Sequence, residues 1–135
     1  MSGDPKLLIE SPLTVRWGDM DAFAHVNNAT YATYVEEARL RWFQTIEGEW
    51  RNDEISPILA AQHINHRVAI EWPAEVIVQL FLNRVGNSSF TVGFRIVDQA
   101  DRTRLYADGD NVLVWIARSS GKSIPLPECV RVALA

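Results

Sequence analysis

The hydrophobic patterning of this chain predicts an α+β fold in which an antiparallel five-stranded sheet wraps around one long central helix. Two observations carry the elements. Tyr31, Val35, Ala38, Trp42 and Ile46 recur every three or four residues, as one apolar stripe of a helix does. Downstream of them, apolar residues alternate in several segments separated by short turn-forming clusters, the period of strands. A third consideration gives the arrangement. One helix cannot cover both faces of such a sheet, so the sheet must curl around it.

Taken in order, Leu13 to Trp17 reads as a short first strand ended by Gly18. Asp19 to Asn28 is a loop, and Ala29 to about Glu47 is the helix. Asn27 or Asn28 suits its N-cap, Glu37 and Arg41 form an i,i+4 pair, and Gly48 is a stop signal. Glu49 to Pro57 is polar and reads as a loop. Ile58 to Trp72 is a long mixed strand broken by Pro73. Val76, Val78, Leu80 and Leu82 alternate with Ile77, Gln79, Phe81 and Asn83. Gly86-Asn87-Ser88 turns the chain into a strand carrying Phe90, Val92, Phe94 and Ile96. Asp98 to Asp101 turns it again, into a last strand over Arg104 to Ala117 with Val112, Val114 and Ile116 on one face. Arg118 to Pro127 is a turn-rich tail. Apolar residues on both strand faces predict pairing with further copies, as a homodimer or homotetramer.

The 135 residues, 47% of them hydrophobic, suit one domain spanning 1–135. The net charge of −4 is spread among interspersed acids and bases, which argues against a nucleic-acid or membrane partner. No apolar run reaches the roughly 18–20 residues of a membrane span. Met1-Ser2-Gly3-Asp4-Pro5-Lys6 lacks the basic start and apolar block of a secretory signal, so the expected setting is cytoplasmic. Cys129 is the single cysteine and can form no disulfide within the chain. His63 and His66 are three apart in a strand, on opposite faces, and cannot simply share a metal. Gly121-Lys122-Ser123 resembles the end of a phosphate loop, but Ile116 occupies the required upstream glycine position. No Gly-x-Ser-x-Gly elbow is present. Neither a metal nor a cofactor is expected.

The richest segment is Arg16-Trp17-Gly18-Asp19-Met20-Asp21-Ala22-Phe23-Ala24-His25-Val26-Asn27-Asn28. It places two acids, a histidine and two asparagines at the start of a helix, where free N–H groups and the positive dipole end favour negative charge. A carboxylate there can serve hydrolysis, or can simply cap a turn. Asp19 can hold the loop by accepting backbone N–H bonds or by pairing with Arg16. His25 can orient water, contact substrate or brace the loop.

Arg16-Trp17-x-Asp19-x-Asp21-x-x-x-His25-Val26-Asn27-Asn28, followed by Tyr31-x-x-Tyr34-x-Glu36-Glu37-Ala38-Arg39, resembles the hotdog-fold acyl-CoA thioesterases, in particular the 4-hydroxybenzoyl-CoA thioesterase-like branch. Val68-Ala69-Ile70-Glu71-Trp72-Pro73 and the tail from Gly121 to Pro127 extend the resemblance over nearly the whole chain. It implies hydrolysis of an acyl-CoA, or an acyl-carrier-protein thioester, at a site on the subunit interface. Asp21 would be the catalytic acid, as general base or as nucleophile on the thioester carbonyl. Thiolate leaves readily, so one carboxylate could suffice. The backbone N–H near Asn28 would polarise the carbonyl, with His25 beside it. Asp19, Asn27, Tyr31 and Glu36 would stand around the substrate, Glu36 toward the acyl pocket. Arg67, Arg84, Arg95, Arg102, Arg104 and Lys122 are candidates for the phosphates of CoA. Ala24 stands where relatives usually carry glycine and would resist a positive φ. Some relatives bind without hydrolysis, so a non-catalytic acyl-binding or scaffold protein is the alternative reading.

Overall fold

The computed structural model describes residues 5–135; the residues 1–4 of the leader reading lie outside it. Five strands form one antiparallel sheet in the order β1-β3-β4-β5-β2, with β1 at Lys6–Thr14, β2 at Ile55–His66, β3 at Glu75–Val85, β4 at Ser89–Asp98 and β5 at Leu105–Ala117. Helix α1, Asn28–Phe43, follows β1 and lies in the curl of the sheet. The fold is the expected wrapped α+β arrangement.

The helix forms where its stripe and its cap agree. Asn27 Oδ1 accepts the Ala29 N–H at 2.9 Å, which makes Asn27 the N-cap. Tyr31, Tyr34, Val35 and Ala38 pack with Val76, Val78, Leu80, Phe94 and Ile96 from the inner faces of β3 and β4. One turn further on, Trp42 and Phe43 pack with Phe90, Leu113 and Trp115. Trp115 is fully buried, and its indole N–H donates to the Trp50 carbonyl at 2.8 Å, so no polar group is stranded by that burial. The Glu37–Arg41 pair is present at 3.2 Å.

Several boundaries differ from expectation. The first strand is Lys6–Thr14, not Leu13–Trp17. Ser11 and Pro12 interrupt its alternation, yet Ser11 and Pro12 still pair with Val78 and Ile77. Trp17–Asp19 is a turn of 3-10 helix held by Asp19. The helix stops at Phe43, short of Glu47, although Ile46 stays buried beyond its end. Gly48 is therefore not the stop; it takes φ +133° where a Cβ would come within 2.6 Å of the Cys129 Cβ. β2 begins at Ile55 and ends at His66, because Arg67 and Val68 both turn to donate to the Tyr106 carbonyl. At Gly109 the neighbouring strand comes so close that a Cβ would sit 1.9 Å from the His63 carbonyl oxygen. Only glycine fits there.

A short helix, α2 (Glu128–Leu134), closes the chain and buries Val130 and Leu134 against the second cluster. The sheet has two edges, β1 and β2. β2 is mostly exposed along its length. No helix among the described residues is long and apolar enough to cross a membrane.

Candidate active site

The loop between β1 and α1 is tied down at both ends. Met20 bridges Val26, the Asp21 N–H donates to the His25 carbonyl at 2.8 Å, and the Val26 N–H donates to the Ile70 carbonyl at 2.9 Å. Within this hoop Ala24 adopts φ +63°. A left-handed non-glycine residue costs roughly 1–2 kcal/mol, and glycine would return about 0.5–1 of that as unfolded-state entropy. Ala24→Gly is therefore expected to stabilise the fold by about 0.5–1 kcal/mol and to raise Tm by a few degrees. A lowered Tm in thermal unfolding would contradict this strain.

Asp19 is the loop's internal brace. It is buried and accepts from the Arg16 backbone N–H at 3.0 Å, from the Arg16 guanidinium at 2.9 and 3.2 Å, and from the Tyr34 hydroxyl at 2.6 Å. Burial alone would push its carboxyl up, but the hydrogen bonds from Tyr34 and Arg16 outweigh it and hold the pKa below the usual value. Burial and the same bond push the Tyr34 phenol upward. Both Asp19 oxygens are thus engaged within the protein.

Asp21 is differently placed. Its Oδ1 accepts the Phe23 N–H at 2.8 Å and, more weakly, the His25 N–H at 3.4 Å. The turn-capping reading is therefore correct as far as Oδ1 goes, and Oδ2 has no protein partner among the described residues. Asp21 lines two adjoining cavities. One, of about 620 Å³, is walled by Trp17, Phe23, His25, Glu71 and Trp72. The other, of about 420 Å³, is walled by His25, Asn28, Tyr31, His66, Arg67 and Val68.

The helix start opens onto the second cavity. Asn27 takes up the Ala29 N–H with its side chain and the Thr30 N–H, at 2.8 Å, with its carbonyl. The Asn28 N–H has no intrachain acceptor among the described residues. It is a free donor at the helix start, lining the same cavity as a carboxylate with a free oxygen.

Of the sequence-predicted residues, Asp21, His25, Asn28 and Tyr31 meet at this cavity. Asn27 serves as cap. Tyr31 is buried, with its ring edge on His66 at 4.7 Å and its hydroxyl 3.4 Å from the Ile70 N–H. Burial, and then the charge of Asp21, raise its pKa. Glu36 does not join them within one protomer; it lines a separate cavity further along α1. His66 and Glu71 were not anticipated. His66 enters from the end of β2, and Glu71 lies 3.8 Å from His25. Each is some forty residues from the motif, and no local spacing announces it. Of the six basic candidates, Arg67 stands in the cavity wall, paired with Asp108 at 3.0 Å. Arg102 pairs with Glu10, and Arg104 lies over the Tyr106 ring. No group of three or more His, Cys, Asp or Glu among the described residues is placed to hold a metal ion.

A family model for the thioesterase-like superfamily matches residues 15–134. Among solved structures, a candidate acyl-CoA thioesterase from Xanthomonas campestris is 45% identical, with 89% of this chain and 99% of that one covered and a TM-score of 0.81. A candidate thioesterase from Pseudomonas aeruginosa is 35% identical over 96% and 100% of the two chains, at a TM-score of 0.90. A Thermus thermophilus thioesterase in complex with coenzyme A and zinc is 29% identical over 95% and 92%, at 0.80. With its motif, its wrapped sheet and a match over almost its full length, the chain belongs to the thioesterase-like superfamily of thioester hydrolases, on the hotdog fold.

Proposed function

We propose that the chain is an acyl-CoA thioesterase in which Asp21 acts on the thioester and the Asn28 N–H stabilises the oxyanion. The observation that carries this is the juxtaposition of an Asp21 with one uncommitted oxygen and an Asn28 N–H with no internal acceptor, on one cavity wall. An ionised carboxylate can take a proton from water or attack the carbonyl carbon itself. Either route puts negative charge on the carbonyl oxygen, where a helix-start donor in a partly desolvated site acts most strongly. The relatives named above, one of them in complex with coenzyme A, support a CoA thioester as substrate. Its position in the cavity wall supports Arg67 as the partner of a CoA phosphate.

Incubation with a panel of acyl-CoAs and acyl-carrier-protein thioesters, with a chromogenic disulfide to trap thiol, tests the assignment. Enzymatic thiol release on at least one member is expected. Release on none would make this an acyl-binding or scaffold protein instead.

The site is completed by a second copy. β2 is an edge strand of twelve residues, Ile-Ser-Pro-Ile-Leu-Ala-Ala-Gln-His-Ile-Asn-His, with no Lys, Arg, Asp or Glu. Monomeric proteins blunt such edges with charge or bulges. Here Ile58 and Leu59 are 43% and 42% exposed, and the one bulge lies between Leu59 and Ala61. Antiparallel β2–β2 pairing about a two-fold axis would cover this edge. Leu59→Lys is expected to convert a dimer to a folded monomer in light scattering, with loss of turnover. A wild-type monomer at micromolar concentration would contradict the pairing.

A further inference from the structure

A buried cation on α1 has no use in the chemistry described so far. Arg39 is 7% exposed and points between helix and sheet. Its guanidinium donates to Asn111 Oδ1, a neutral acceptor that is itself fully buried in β5. Asn111 in turn donates to Gln62 Oε1 on β2 at 3.3 Å. No acid among the described residues forms an ion pair with Arg39; Glu36, one turn earlier, acts on it only at longer range. Desolvation accordingly lowers its pKa. A guanidinium offers five donors, and leaving one buried without an anionic partner is costly. Arg39 also lines a cavity of about 410 Å³ together with Glu36, Leu40, Phe43, Ile58 and Leu59.

The position of this cavity matters. The Asp21 cavity lies where the start of α1 meets the end of β2, at Tyr31 and His66. The Arg39 cavity lies where the end of α1 meets the start of β2, at Phe43 and Ser56. Both open along one seam between α1 and the free edge. If β2 pairs with its copy over its whole length, residue 55 meets residue 66 and Ile58 meets His63. That two-fold brings the Arg39 cavity of each protomer against the Asp21 cavity of its partner. Arg39 then stands at the far end of the space an acyl group would occupy.

We infer that Arg39 is a specificity-determining residue that binds an anionic oxygen at the end of the acyl group remote from the thioester, so that the favoured substrates are acyl-CoAs with a terminal carboxylate. This rests on the thioesterase reading above. A charge-assisted hydrogen bond from a desolvated guanidinium is directional, and an apolar chain end would leave that guanidinium with only the neutral Asn111 as acceptor.

The test compares adipoyl-CoA with hexanoyl-CoA, equal in length and differing in the terminal carboxylate. The wild type is expected to favour adipoyl-CoA in kcat/KM by about tenfold to a hundredfold, the range of hydrogen bonds to charged groups. In Arg39→Gln the preference should vanish, chiefly through KM, and Arg39→Lys should restore part of it. Because removal of a buried cation can impair folding, Asn111→Asp provides a second arm. It sets a carboxylate of nearly the same shape against the guanidinium, and the adipoyl preference should fall to near one. Equal kcat/KM for both substrates in the wild type would overturn the inference. So would a folded, dimeric Arg39→Gln with an unchanged substrate ratio, which would leave Arg39 only its packing role between helix and sheet. Dissociation constants of both acyl-CoAs for Asp21→Asn decide the preference without turnover. Failure of hydrolysis itself would therefore count against the thioesterase reading and not against Arg39.

Discussion

Asn28→Pro is expected to lower kcat about 10²–10³-fold while leaving the helix in place. Proline removes the group in question, the backbone N–H, together with the Asn28 side chain, and fixes φ near its helical value. Asn28 is the first residue of α1, where that N–H bonds nothing within the helix and proline is well tolerated. The preceding residue, Asn27, already has φ −57° and ψ 134°, the extended conformation a following proline demands. Asn27 Oδ1 would still cap Ala29. Loss of one oxyanion donor typically costs about 2.7–4 kcal/mol of transition-state stabilisation. Asn28→Ala, which keeps the N–H, should stay near wild type in kcat. A proline variant with normal helicity and normal kcat would remove the Asn28 N–H from the mechanism.

Asp21→Asn is expected to lower kcat/KM at least roughly a hundredfold, the lower end for loss of a positioned base. The substitution isolates charge from structure. An asparagine oxygen can accept the Phe23 N–H as Oδ1 of Asp21 does, so the turn and the tied loop persist. What disappears is the basic or nucleophilic oxygen. Thermal unfolding within a degree or two of wild type, together with collapsed turnover, is the expected pair of results.

The loop and helix start were readable from the chain because local rules build them. Asn27 caps, Asp19 braces against Arg16, and Asp21 closes a turn two residues on, all within the thirteen residues from Arg16 to Asn28. At Ala24 the family resemblance puts a glycine, which marks a position of positive φ, and the left-handed φ is there. The strand limits were less readable. Ser11 and Pro12 disguise β1, and β2 ends where the Tyr106 carbonyl, forty residues away, captures Arg67 and Val68. His66 and Glu71 reach the site by the same long-range packing. Arg39 was hidden for another reason. A charged residue one position from the apolar stripe reads as solvated, and only the fold places it against Asn111, itself a polar residue at a core position of an apolar strand.

Thiol release from a single acyl-CoA substrate, measured side by side for wild type, Asp21→Asn and Asn28→Pro, tests the shared role of carboxylate and helix start most directly. The account predicts three folded proteins of the same oligomeric state, with turnover in the wild type and a loss of at least roughly a hundredfold in each variant. Turnover in either variant equal to that of the wild type would contradict it.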